Sequence, residues 1–219
     1  MTRRAGYGMK SRRGSRAARE FRAMGVALRQ PMTIAEFLAW EDRQPDKHEF
    51  DGFAVVAMTG VSRAHSTIQA NLMAALRQGL RGTPCRVHGS DLKVEVAGSI
   101  RYPDAFVVCS DGTPRDRVID DPVVIFEILS PSTAQLDHGR KNEEYRDTPS
   151  VRHYVIVEQD AMRATVFARE AGRWIGTLLS GPERLDLPEI GVSLDLAELY
   201  DGVALDAPAR EPAPETSRA

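Results

Sequence analysis

Apolar residues along this chain fall into segments whose spacing switches between that of a helix and that of a strand. Patterning begins near Met32. Thr33 followed by Glu36 makes a capping box, in which hydroxyl and carboxylate each satisfy a free backbone N–H. Ile34, Phe37 and Leu38 then recur at helical spacing, predicting a short amphipathic helix that ends near Trp40. Residues 47–59 read as one strand, or as a hairpin turning at Asp51-Gly52. A longer helix is predicted over about 64–81, capped by Ser62 or Ser66. Its apolar stripe is Ile68, Leu72, Met73, Leu76 and Leu80, and Gly82 and Pro84 end it.

Strand patterns follow. Residues 85–88 and 92–97 alternate loosely, Gly98 turns, and 102–109 form the next strand. A polar loop, 111–121, leads to Val123-Val124-Ile125-Phe126-Glu127-Ile128-Leu129. A run this apolar, with no polar face, fits a central strand covered on both sides. Ser130-Pro131-Ser132-Thr133 breaks it, and a helix is expected from about 133 to 147. Strands at 153–158, 164–169 and 174–179, then a short helix at about 194–200, complete the pattern. This order predicts an α/β (α+β) domain: a mixed central β-sheet flanked by helices, over residues 32–205. Residues 1–31 form a basic arm, expected to be disordered, and 206–219 a Pro/Ala-rich tail expected to be disordered too.

Composition changes the picture in three respects. With 42% hydrophobic and 27% charged residues over 219 positions, the chain is that of an ordinary globular domain. No apolar run approaches the ~18–20 residues that span a bilayer, so no membrane partner is expected. Cys85 and Cys109, the two cysteines, make no disulfide framework and too few ligands for a zinc ribbon. Reduced thiols and a cytoplasmic location are the expectation. The net charge of −2 conceals an asymmetry. Residues 1–30 carry nine basic residues and one acid, which leaves 20 basic and 30 acidic among the remaining positions, a balance of −10. Such an arm reads as an unstructured extension, as a nucleic-acid contact, or as an organellar transit peptide.

Glu127 is the candidate with the sharpest chemistry. An ionised carboxylate among apolar neighbours loses its hydration and needs a raised pKa, a cationic partner or a metal ion. Asp104 is its natural companion, because Pro103 sets it at the start of an apolar strand. If the two strands are neighbours, the carboxylates converge, and hard oxygen ligands of this kind suit Mg²⁺ or Mn²⁺. Lys141 is the first lysine after this pair, on a helix that the turn at 130–133 can fold back over the strand end. That turn reads as ordinary helix capping or as a phosphate cradle. Without a metal, the same residues read as a buried ion pair that fastens helix to sheet.

These residues carry a resemblance. Arg-Tyr-Pro-Asp at 101–104 and Phe-Glu-Ile-Leu-Ser-Pro-Ser-Thr at 126–133 resemble the PD-(D/E)XK nuclease superfamily. More closely, the chain resembles the Uma-two-type restriction endonucleases, through His-Glu-Phe-Asp-Gly at 48–52, Ser-Arg-Ala-His at 62–65, Asp137 with Lys141 and Tyr145, and Val-Arg-His-Tyr-Val-Ile-Val at 151–157. The pieces occur in family order across about residues 32–180. The resemblance implies a restriction-endonuclease-like core and Mg²⁺-dependent hydrolysis of DNA phosphodiesters, with Asp104 and Glu127 as metal ligands. Glu49 and Asp91 match acidic positions that complete the metal shell. The superfamily pattern places a lysine two residues after the acid, where this chain has Leu129, so Lys141 becomes the substitute and Lys93 the second choice. Cleavage of both DNA strands would favour a homodimer. The opposing reading is a catalytically inactive interaction protein that keeps the fold.

Overall fold

The structure is a computed structural model that describes residues 28–29, 32–129 and 138–205. The rest of the basic arm, the C-terminal tail, the turn at 130–133 and Asp137 lie outside the described residues. Leu28–Arg29 (β1) is the one described piece of the arm, and it forms a strand. Helix α1, Ile34–Glu41, opens with the predicted capping box: Thr33 Oγ1 accepts from Glu36 N–H at 3.2 Å, and the Glu36 carboxylate accepts from Thr33 N–H at 2.8 Å. Residues 47–59 resolve into the hairpin alternative, His48–Phe50 (β2) and Ala54–Ala57 (β3). Asp51 Oδ1 accepts from Phe53 N–H inside the turn, and Gly52 takes a φ of +80°, the left-handed region that a side chain disfavours. β1 pairs antiparallel with β3.

Ser62 caps helix α2, Arg63–Gly79, whose Ile68, Leu72 and Leu76 are fully buried. The strands Arg86–Gly89 (β4), Lys93–Val96 (β5), Ser99–Arg101 (β6) and Ala105–Val108 (β7) follow. Here the predicted strand over 102–109 is corrected. Residues 99–101 pair across the Gly98 turn with β5, and the chain changes sheets at Tyr102-Pro103. Proline has no N–H to give a ladder, so a strand break there is natural. Val118–Ile119 (β8) lies inside the loop 111–121. Val124–Leu129 (β9), helix α3 (His138–Asp147), His153–Glu158 (β10), Arg163–Glu170 (β11) and Arg173–Ser180 (β12) complete the central part. The hairpin of Arg184–Leu187 (β13) and Val192–Asp195 (β14) was not anticipated from the sequence. It precedes helix α4, Leu196–Leu199.

The expected mixed sheet is present, in the order β12-β11-β10-β9-β7-β4, with β9 and β10 parallel and the other pairs antiparallel. A second six-stranded sheet, β1-β3-β2-β6-β5-β8, stands beside it. On one face of the mixed sheet, α2 packs Ile68, Leu72 and Leu76 over Ala105, Val107, Phe126 and Val155, and Leu185, Leu194 and Leu199 close the core. On the other face, Phe106, Ile125 and Tyr154 meet Tyr145 of α3 and Val94 and Val96 of the second sheet. Burying side chains of this size stabilises by about 1.5–3 kcal/mol each. The expectation of reduced thiols is overturned. Cys85 and Cys109 flank the paired ends of β4 and β7, and they form a disulfide, leaving no free cysteine among the described residues.

Candidate active site

β9 alternates its side chains between two covered faces. Phe126 and Ile128 join the α2 side, while Ile125 joins the α3 side, and the same alternation turns Glu127 toward α3. Glu127 is 5% exposed. Its Oε1 accepts from the Tyr145 hydroxyl at 2.7 Å and lies 3.3 Å from Lys141 Nζ. Lys141 and Tyr145 are one helical turn apart on α3, which is why one carboxylate can receive both.

Asp104 sits just before β7. Ala105 is paired with Phe126, so one further step of the antiparallel register sets Asp104 against Glu127. Asp104 Oδ2 accepts from Ile128 N–H at 2.7 Å, and Oδ1 is 2.9 Å from His65 Nε2. Gln69, one turn on from His65, donates to the Asp104 carbonyl at 2.8 Å. Each acid is therefore gripped by an i, i+4 pair from a different helix: α2 holds Asp104, and α3 holds Glu127.

Glu49, buried on β2, supplies the third carboxylate. Its Oε1 is 3.1 Å from Lys141 Nζ and accepts from Tyr102 N–H at 3.2 Å, and its Oε2 accepts from Arg101 Nη1 at 3.2 Å. Arg101, 2% exposed, turns its other nitrogens to Glu144 of α3 at 2.7 and 2.8 Å, and Ser99 donates to the same carboxylate at 2.9 Å. Lys141 thus stands between Glu49 and Glu127, and Glu144–Arg101 ties its helix to the second sheet.

The electrostatics follow from this packing. Burial pushes the Glu127 carboxyl up to about 7; Lys141 opposes that rise, while the charges of Asp104 and Glu49 add to it. Burial pulls the His65 imidazole down, but its bond to Asp104 and that carboxylate's charge outweigh burial, and the net movement is upward. Burial and the Glu127 charge hold the Tyr145 phenol well above its ordinary value, so it remains a donor.

The remaining candidates lie elsewhere. Lys93 is buried, but it is paired with Glu41 at 2.7 Å and Asp42 at 3.5 Å, and Tyr102 donates its hydroxyl to the same Glu41 at 2.7 Å. Asp91 is almost fully exposed and paired with Lys47. Sequence reading had not singled out Arg101 or Glu41. The available signal was spacing: His65 with Gln69, and Lys141 with Tyr145, each lie four apart beside an acid-bearing strand.

Among the described residues, no three His, Cys, Asp or Glu side chains form a group that by itself could hold a metal ion. The donor chemistry of Asp104 and Glu127 nevertheless fits a hard divalent cation. Both are oxygen ligands, they repel each other, and a doubly charged ion relieves that repulsion. Two carboxylates suffice for Mg²⁺, which retains several waters. No helix among the described residues is long and apolar enough to cross a membrane.

A mixed sheet that sets Asp104 against Glu127 across adjacent strands, with a lysine-bearing helix on one face, is an α+β domain. The comparison with solved structures agrees. The fold matches "a putative nuclease belonging to DUF820" from Anabaena variabilis ATCC 29413 with a TM-score of 0.65, at 17% identity, over 80% of this chain and 100% of that one. The chain belongs to the Uma2 family, described as "Putative restriction endonuclease", whose model matches residues 34–197. Two uncharacterized proteins of Synechocystis sp. are similar along most of their length. One, slr1290, is 34% identical over 77% of this chain and 91% of its own; the other, sll1609, is 28% identical over 72% and 93%.

Proposed function

We propose that this chain is a divalent-metal-dependent endonuclease that hydrolyses DNA phosphodiester bonds, with Asp104, Glu127 and Lys141 as its catalytic residues. The observation that carries the reading is the meeting of Lys141 with Glu127 at 3.3 Å, beside the register position of Asp104. Position 129, where the superfamily pattern expects lysine, is leucine, and a helix supplies the ammonium on the same face of β9.

Asp104 and Glu127 would hold Mg²⁺ or Mn²⁺, which supplies charge neutralisation at the phosphate and a more acidic water. Lys141 brings a fixed positive charge to the same place, where it can orient the attacking water and offset charge growing on the phosphoryl oxygens. Hydrolysis forms a bond from water oxygen to phosphorus and breaks the bond to the leaving sugar oxygen, which takes up a proton. Tyr145 holds Glu127 by its hydroxyl, and His65 with Gln69 fixes Asp104, so the acids keep their positions before substrate arrives. Glu49 anchors Lys141. It could enter the metal shell only by loosening its hold on Lys141, Arg101 or the Tyr102 N–H. Asp91, exposed and away from this network, has no part in the mechanism.

A second reading draws on one observation: Asp104 is met by His65, and Glu127 by Lys141, so the network is satisfied without a metal. That would suit an inactive interaction protein. Plasmid nicking in Mn²⁺, with calorimetric Mn²⁺ titration of the protein and of Asp104→Ala, separates the two. Nicking that Glu127→Gln abolishes, and Mn²⁺ binding that Asp104→Ala abolishes, support the nuclease. No nicking together with identical titrations would overturn it.

A further inference from the structure

Beyond the catalytic cluster, and resting on the nuclease reading for its choice of partner, the geometry points to a second phosphate-binding site formed by Arg77, Arg81 and Arg86. These arginines line a cavity of about 300 Å³ over an apolar floor of Leu80, Val87 and Cys85. No acid lines it, and none of the three arginines has an ion-pair partner among the described residues. Arg86 Nη1 is fixed by the carbonyls of Thr83 and Cys85, both at 2.7 Å, so this guanidinium is already positioned. Three positive charges sharing one cavity whose own lining has no acid stand out in a body that carries 20 basic and 30 acidic residues beyond residue 30, although Arg86 also borders a neighbouring cavity lined by Asp111, Asp116, Asp120 and Asp121. An anion is the ligand such a pocket attracts, and arginine forks match phosphate geometry.

The pocket connects with the candidate active site along one face of α2. Gln69, Met73 and Arg77 follow one another at single-turn spacing, and Arg81 comes just past the helix end. Alongside them β4 runs the other way. Gln69 reaches Asp104 and Ser90, Met73 packs over Gly89 (a β-carbon there would meet its Cε at 3.6 Å), and Arg77 and Arg81 share the cavity with Arg86. At 1.5 Å per residue, Arg77 lies about 12 Å along the helix from Gln69. At 3.4 Å of axial rise per nucleotide, that is about three or four base pairs along a duplex axis. The arginine pocket takes the backbone of the strand whose scissile phosphate lies at Asp104 and Glu127.

The test is fluorescence anisotropy of the full chain on labelled duplex DNA, single-stranded DNA and RNA, in EDTA so that binding is read apart from hydrolysis, over a range of salt. Each lost phosphate contact flattens the slope of log affinity against log salt by about 0.9 on duplex. Arg77→Gln, Arg81→Gln and Arg86→Gln together should flatten it by about 2.7, shrinking the loss of affinity between 50 and 200 mM salt by about 40-fold. Arg77→Gln with Arg81→Gln, which leaves the Arg86 contacts intact, should flatten it by about 1.8. A control carrying Arg43→Gln, Arg152→Gln and Arg173→Gln removes equal charge from exposed positions elsewhere and should keep the slope of the unaltered chain. Unchanged slopes in both pocket variants, an equal loss in the control, or no binding by the unaltered chain to any of the three nucleic acids would overturn the site. The three probes show which backbone it accepts. If the pocket variants flatten the slope while the unaltered chain fails to nick DNA in Mn²⁺, the phosphate site stands and the hydrolytic reading falls.

Discussion

Glu127→Gln separates the demand of the site from the demand of the fold. An ordinary glutamate ionises near 4.5, whereas Glu127 in the folded chain holds its proton to about 7. Below 4.5 the carboxyl is protonated folded and unfolded alike. As pH rises, the unfolded chain releases the proton first, and the folded chain follows only near 7. The stability this proton confers is present in acid and is lost as pH climbs through 7. At about 1.4 kcal/mol per pH unit of separation, the loss amounts to about 3 kcal/mol. Glutamine keeps the volume and leaves an amide oxygen for the Tyr145 hydroxyl, while Lys141 retains Glu49. In EDTA at pH 8 the variant should therefore be more stable than the unaltered protein by about 3 kcal/mol. For a chain of this size that is about 6–12 °C in melting temperature. The gap should close toward pH 4.5. Urea titrations followed by circular dichroism across that range measure it, and added Mg²⁺ should raise the melting temperature of the unaltered chain only. A variant less stable at pH 8, or a gap independent of pH, would refute the reasoning. Glu127 would then be an ordinary member of an ion network rather than an acid held against its own solvation.

Three further outcomes follow from neighbouring contacts. Arg101→Met takes the guanidinium from two buried carboxylates, leaving Glu49 with Lys141 and Glu144 with Ser99 and Arg140, and should cost about 3–5 kcal/mol, read as a fall of about 6–20 °C in a thermal melt. Tyr145→Phe removes the hydroxyl donated to Glu127 and should cost about 1.5–3 kcal/mol in urea titration, with a loss of nicking rate larger than the loss of fold. Reducing Cys85–Cys109, which closes a span of 24 residues, should destabilise by about 3–4 kcal/mol, checked by melting in dithiothreitol beside Cys85→Ser with Cys109→Ser.

Helices α1 and α2 and most strands of the mixed sheet were legible because their apolar spacing is strong and their ends are marked: the Thr33–Glu36 box, Ser62, Gly98 and the β-branched run at 123–129. Of the second sheet, the hairpin at 47–59 and the strand at 92–97 were legible, whereas β1, β6 and β8 were not, being too short for a period to register. The β13–β14 hairpin escaped for the same reason. In the site, the acids stood out by their apolar setting. Arg101 and Glu144 stayed hidden because each sits in a polar stretch that reads as solvated, and only tertiary packing buries them against each other. The cysteine pair was invisible because a sequence separation of 24 says nothing of strands that bring their ends together.

A lysine two residues after its acid shares a strand with it, and secondary structure alone sets their separation. Here the ammonium and the carboxylate belong to different elements, joined by the seating of one helix through Arg101 and Glu144. On the proposed reading, competence would be a property of assembly: lifting this helix would disarm the centre with every reacting group still intact, and reseating it would restore them all at once.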